Sequence, residues 1–108
     1  MDRFNPRTSY RCLKAEAMPS VSASTAIFAN APAATKEIRM TVRTAAITMT
    51  GPAGSNTVPV TATTTVGLDF AVNSASSPYV IETNATIAKA MRAIQNGGTA
   101  AGYIEYWG

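Results

Sequence analysis

"EIRMTVR" at residues 37–43, followed by "AAITMT" at 45–50, is the stretch whose reading decides the fold. Ile38, Met40 and Val42 alternate with Arg39, Thr41 and Arg43, the period-two pattern of a strand that buries one face. The alternation resumes in the second stretch, with Ala45, Ile47 and Met49 on one side and Thr48 and Thr50 on the other. Two consecutive half-buried strands predict an antiparallel sheet.

Working downstream, "GPAGSN" at 51–56 reads as a turn. In "TVPVTAT", Pro59 lacks a backbone donor and restricts the run to an edge strand or an irregular segment. "TVGLDFAV" at 65–72 alternates again, which predicts Val66, Leu68, Phe70 and Val72 inward and Asp69 outward. "NSASSP" is a loop, and "YVIE" at 79–82 a short strand. "NATIAKAMRAIQNGG" predicts a helix from the N-cap Asn84, with an apolar stripe of Ile87, Ala90, Met91 and Ile94 and closure at Gly97. "AAGYIEYW" is the last strand. Its alternation sends Ile104 and Tyr106 to the core and leaves Tyr103 and Trp107 on the outer face, flanking Glu105. Upstream, "NAPAAT" at 30–35 is a loop, and residues 21–28 predict a Ser/Ala/Thr-rich strand.

The expected fold is mainly β: a small antiparallel β-sandwich with one short amphipathic helix before the last strand and an extended N-terminal arm. The arm is read as residues 1–20 and the sandwich domain as 21–108. Pro6 and Pro19 interrupt the arm, although Tyr10, Leu13 and Ala17 would share one face of a short helical turn.

Composition sets the limits of this domain. Of 108 residues Ala supplies 20 and Thr 15, whereas Leu, Ile, Val and Phe together supply 19. That share lies below roughly 20%, but the net charge is only +3, so the expectation is a folded domain with a thin core. No run of 18 apolar residues predicts a membrane span. "MDRFNPRTSYRCLK" lacks the apolar segment of a secretory signal, and Cys12 is a lone cysteine, so synthesis in a reducing cytoplasm is expected.

Little in the sequence points to catalysis. With no His and one Cys, nearly all nucleophile–base pairs and metal clusters are excluded: a Ser-His-Asp or Cys-His site cannot be built, and zinc lacks its ligands. Asp69, Glu82 and Glu105 read as solvated charges on outward strand faces in preference to an acid–base set. "GGTAAG" follows the helix and opens a strand, the reverse of a phosphate loop, and Asn84-Ala85-Thr86 reads as a helix cap in preference to a glycosylation site. No catalytic residue, cofactor or metal ligand is assigned. What remains is surface. Arg3, Phe4, Arg7, Tyr10, Arg11 and Lys14 make a basic arm with interleaved aromatics, of the residue types favoured in protein docking. A nucleic-acid contact would call for a richer patch, and a solvated tail is the bland reading. Tyr103 and Trp107 join the arm as candidate partner contacts.

In its order of elements the chain resembles a class of small all-β virion proteins of tailed bacteriophages. The resemblance rests on "IRMTVRTAAITMTG", a turn-rich middle, a short strand, "NATIAKAMRAI", glycines and a final strand ending in aromatics, over about residues 35–107. It implies a capsid decoration (cement) protein, whose partner would be the major capsid protein or another virion protein, with homo-oligomers on the particle and the virion as location. A head–tail or tail accessory protein and a surface carbohydrate- or receptor-binding sandwich are the alternatives. The family offers no catalytic residues to transfer.

Overall fold

The computed structural model describes residues 10–54 and 57–108. In chain order the elements are β1 (Cys12–Ala17), β2 (Thr25–Ala26), β3 (Glu37–Arg43), β4 (Ala46–Thr50), β5 (Leu68–Phe70), β6 (Tyr79–Glu82), α1 (Ala85–Ala90), β7 (Arg92–Asn96) and β8 (Ala101–Trp107). They form two antiparallel four-stranded sheets: sheet I in the order β1-β8-β3-β6, and sheet II in the order β2-β7-β4-β5. The mainly β fold with one short helix is the one expected.

Two strand pairs lie at the centre of the sandwich. β3 pairs with β8 from Glu37–Trp107 to Arg43–Ala101, and β4 pairs with β7 from Ala46–Asn96 to Thr50–Arg92. Each strand of this ribbon passes from one sheet to the other at a common corner, as strands do where sheets of a sandwich share them. Thr44 and Ala45 span the corner on one side, and the segment from Gly97 to Ala100 spans it on the other. The backbone there is left-handed at Thr44 (φ 70°) and at Gly97 (φ 91°), a region that glycine enters freely and threonine does not. Thr44 is held by its own hydroxyl, which lies 2.6 Å from the carbonyl oxygens of both Arg43 and Thr99.

Alternation along the ribbon supplies the core. Ile38, Met40, Val42, Ile47, Ala93, Ile104 and Tyr106 are all fully buried. Phe28 packs edge-on against Tyr106 with ring centroids 6.4 Å apart. The Tyr106 hydroxyl donates to Glu16 Oε2 at 2.5 Å, and Asn30 Nδ2 donates to Glu16 Oε1 at 2.9 Å. Burial, and then the hydrogen bond and the charge of Glu16, push the Tyr106 phenol well above its ordinary value.

Several expectations need correction. The helix stops at Ala90, and Arg92–Asn96 is strand β7. Asn84 does cap the helix, accepting from Ile87 N at 2.9 Å. Ile94 extends the helical stripe in sequence, but as a strand residues 92–96 pair with β4 along their length and with β2 at one end. Six helical residues gain too little from their own hydrogen bonds to compete with that pairing. Gly97 therefore serves the corner instead of a helix end.

Residues 21–28 form a strand only at Thr25–Ala26, and Ile27 and Phe28 are buried where the chain turns. β5 is a three-residue edge strand. Val66, Leu68 and Val72 are 49%, 73% and 52% exposed, and among the described residues no further strand lies beyond that edge. The polar side of β4 is buried as well: Thr48 bonds Asp69 at 2.8 Å, Thr50 bonds the Val60 carbonyl, and irregular segment 57–66 lies over both. Pro59 sits in that segment, which makes isolated bridges only. The turn at 51–54 leads into Ser55 and Asn56, which lie outside the described residues.

Part of the arm read over residues 1–20 is a strand of the sandwich. Residues 1–9 lie outside the described residues. Cys12–Ala17 forms no helical turn; it is β1, antiparallel to β8 from Cys12–Trp107 to Ala17–Tyr103. A strand that pairs with β8 and whose Glu16 accepts from the Tyr106 hydroxyl packs with the sandwich, so residues 12–17 belong with it.

Two outcomes are expected. A Cβ at Gly102 would collide with the Thr41 carbonyl oxygen and approach Met18 Cε to 2.8 Å, so Gly102→Ala destabilises the fold by about 1–3 kcal/mol in denaturant melts. For Tyr106, a folded-state value raised above the unfolded one gives stability that is present below about pH 10 and declines as pH rises beyond it. Absorbance titration should show one phenol ionising only on alkaline unfolding, and Tyr106→Phe should abolish that signal and cost about 1.5–3 kcal/mol at neutral pH.

Candidate functional site: the outer face of sheet I

Period two sets Glu37, Arg39, Thr41 and Arg43 of β3 on the face of sheet I opposite Ile38, Met40 and Val42, where Glu37 and Thr41 are nevertheless buried and Arg43 is exposed. The register then fixes their neighbours. Trp107 lies across from Glu37, Glu105 across from Arg39 and Tyr103 across from Thr41. On the other side of β3, Glu82 pairs with Glu37 and Val80 with Arg39.

The side chains engage one another in a chain. Arg39 Nε donates to Glu37 Oε2 at 2.7 Å, and the guanidinium carbon sits 3.9 Å from the Trp107 ring centroid. Trp107 Nε1 donates to Glu105 Oε1 at 3.0 Å. Arg39 is thus fixed by a carboxylate in the plane of the sheet and by an aromatic face beside it, an arrangement that favours Arg over Lys. Tyr103 (38% exposed) and Val80 (42%) flank this stack and face solvent. Glu37 is buried and paired with Arg39, which leaves Glu82 and Glu105 as the carboxylates that give the accessible middle of the face its acidic character.

Tyr103 and Trp107, expected on one outer face beside Glu105, are there. Arg39 is the residue that sequence reasoning missed. Its place on a polar strand face was readable, but its contact with Trp107 depends on β3 pairing with β8. Arg3, Phe4 and Arg7 lie outside the described residues. Tyr10 is half-buried; Arg11 is exposed, its backbone exchanging hydrogen bonds with Gly108 at 3.1 Å in both directions. Lys14 is exposed on β1 opposite Tyr106, and so lies away from the Arg39–Trp107 stack.

The three carboxylates weighed for acid–base work do not converge. Glu82 and Glu105 stand on strands separated by β3, while Asp69 belongs to sheet II and bonds Thr48. Among the described residues no three His, Cys, Asp or Glu side chains are placed to hold a metal ion, and no helix is long and apolar enough to cross a membrane. A cleft of about 240 Å³ opens where β5 and β6 leave the sandwich edge unsealed, lined by Met49, Thr50, Leu68, Phe70, Ile81 and Met91. Its lining carries no ionisable group, so it offers contact and no acid–base chemistry.

Comparison with protein-family models, curated proteins and solved structures gives no match to this chain.

The stack itself can be measured. In a double-mutant cycle of Arg39→Ala and Trp107→Ala, thermal or urea melts should return a coupling of about 0.5–1 kcal/mol, the size of a partly exposed cation–π pair.

Proposed function

We propose that this chain is a non-catalytic assembly protein that docks on a larger protein surface through the outer face of sheet I, and that the surface is the capsid of a tailed phage. The observation that carries the docking reading is the Arg39–Trp107 stack with Tyr103 and Val80 beside it. Trp, Tyr and Arg are the residues that dominate interface energies. Here two of them are held rigid before any partner arrives, so little side-chain entropy remains to be lost on binding. The capsid assignment rests on the resemblance over residues 35–107 to small virion proteins, with the major capsid protein or another virion protein as partner.

Residues 1–9 extend the contact. Arg3, Phe4 and Arg7 precede β1, and their basic character suits an acidic lattice or the carboxyl-rich face of a neighbouring copy. Many weak contacts of this kind on a repeating surface add up through effective concentration. Head–tail joining uses the same face on a different ring of subunits. A sugar-binding sandwich is less well served, because Arg39 already occupies one face of the Trp107 ring.

Cosedimentation with assembled capsids is the experiment. Trp107→Ala and Tyr103→Ala should each weaken binding by about 2 kcal/mol or more, roughly thirtyfold, with the circular dichroism of the free domain retained. Deleting residues 1–9, which spares β1, should weaken binding further. Intact protein that stays in the supernatant, or variants that sediment as well as the parent, would remove the proposal.

A further inference from the structure

β1 stands at the end of sheet I, and among the described residues β8 is its one strand neighbour. Among the described residues no strand pairs with its opposite edge. Lys14, Ala15 and Ala17 are exposed. At six residues it is the longest of the four outer strands: β2 has two, β5 three and β6 four. An open strand of that length is a template for another strand unless something blocks it.

The direction of its backbone groups follows from its hydrogen bonds. Met18 N donates to the Gly102 carbonyl at 2.9 Å, in the register that pairs Glu16 with Ile104 and Lys14 with Tyr106. In an antiparallel ladder, alternate residues of one strand point their N–H and C=O at a given neighbour. Lys14, Glu16 and Met18 therefore bond β8, and Ala15 and Ala17 direct theirs to the open edge.

We infer that β1 pairs antiparallel with β1 of a second copy about a two-fold axis at Ala15, joining the two four-stranded sheets into one of eight strands. Centred there, Ala15 of each copy faces Ala15 of the other, and each donates its outward N–H to the other's carbonyl. Lys14 of each copy then lies opposite Glu16 of the other. Both belong to one face of the strand, and in this register they form the non-hydrogen-bonded pair, whose side chains come closest. A lysine on an edge ordinarily deters pairing. Here its place two residues before a glutamate turns it into half of a self-complementary pair, so the edge admits its own copy and repels an edge of like charge. Glu16 has capacity for this contact, since a carboxylate accepts at about four positions and Tyr106 and Asn30 use two. The small side chains of Ala15 and Ala17 leave room for close approach. The bulge between Cys12 and Lys14 ends the regular ladder, which keeps the contact short and the dimer reversible. Such an interface is isologous, the closed two-fold form commonest among homo-oligomers.

The β1 pairing does not depend on the capsid reading, since it concerns the pure 108-residue chain in buffer. Sedimentation equilibrium should show a monomer–dimer equilibrium between about 1 µM and 1 mM. Ala15→Pro removes a donor that β8 does not use, and an edge strand tolerates proline where its N–H faces solvent. The dissociation constant should rise at least about tenfold with the melting temperature nearly unchanged. Lys14→Glu, which sets two carboxylates against each other, should do the same and decides the matter if the proline variant fails to fold. In a Cys12→Ser background, Ala15→Cys brings two thiols to Cα atoms about 5.5 Å apart, within disulfide reach, whereas Ala17→Cys leaves them about 14 Å apart. Mild oxidation should link the first pair and leave the second free. A chain monomeric at about 1 mM, a dimer that survives Lys14→Glu or a folded Ala15→Pro, or equal cross-linking at both positions would overturn the inference.

Discussion

Both sheets depend on a single corner, where β3 becomes β4 and β7 becomes β8. The chain has few large aliphatic residues, and two separate sheets would each need their own set of inward side chains to stay together. A ribbon that passes through both sheets couples them covalently, so that the same paired strands supply inward residues on either side of the bend. Thr44 accepts a left-handed backbone to make the turn, and its hydroxyl, near the Arg43 and Thr99 carbonyls, offsets part of that cost. The two extra residues on the β7–β8 side follow from geometry. The outer strand of a bent pair has the longer path, and glycines there take it without strain.

The same economy explains the polar groups in the interior. Tyr106 fills the core beside Phe28, and its hydroxyl is satisfied by Glu16. A carboxylate and a phenol replace what would be Leu or Phe in a richer sequence, and the hydrogen bond keeps the substitution from leaving an unsatisfied donor. On sheet II, Thr48 and Thr50 are covered by segment 57–66, whose backbone oxygen at Val60 takes one of the hydroxyls. Much of this domain is closed by hydrogen-bonded side chains in places where a protein of this length commonly uses aliphatic contact.

Surface function in this molecule is a matter of which strand lies beside which. The Arg39–Trp107 stack needs β3 and β8 as neighbours, and the acidic face needs β6 on the other side of β3. The outer strands differ in a way that bears on assembly. β5 and β6 are short and leave an apolar cleft between them, while β1 is longer, charged and backed by small residues. The proposed lattice contact and the β1 pairing use different parts of sheet I, its outer face and its edge, so both can operate in one assembly.

The alternation in "EIRMTVRTAAITMT" and "AAGYIEYW" determined, without any structure, which side chains of β3, β4 and β8 point inward, because a strand's period of two is a local property of its backbone. Asn84 announced a helix start for the same reason: its side chain needs only the next few amides. Tertiary structure decided the rest. Ile94 continues the helical stripe of Ile87, Ala90 and Met91, and residues 92–96 show no strand alternation, so pairing with β4 and β2 alone selected the strand. Leu68 kept its inward direction, opposite Met49, yet stayed exposed because burial depends on whether another strand covers the edge. Cys12–Ala17 alternates Leu13, Ala15 and Ala17 with Lys14 and Glu16, but pairing with β8 sets the polar residues on the side of Ile104 and Tyr106, the reverse of what the pattern alone suggests. Arg39 meets Trp107 only through a register set across 68 positions of chain. Local periodicity fixes the direction of a side chain, while its neighbour and its burial come from contacts between residues far apart in sequence, which no short window contains.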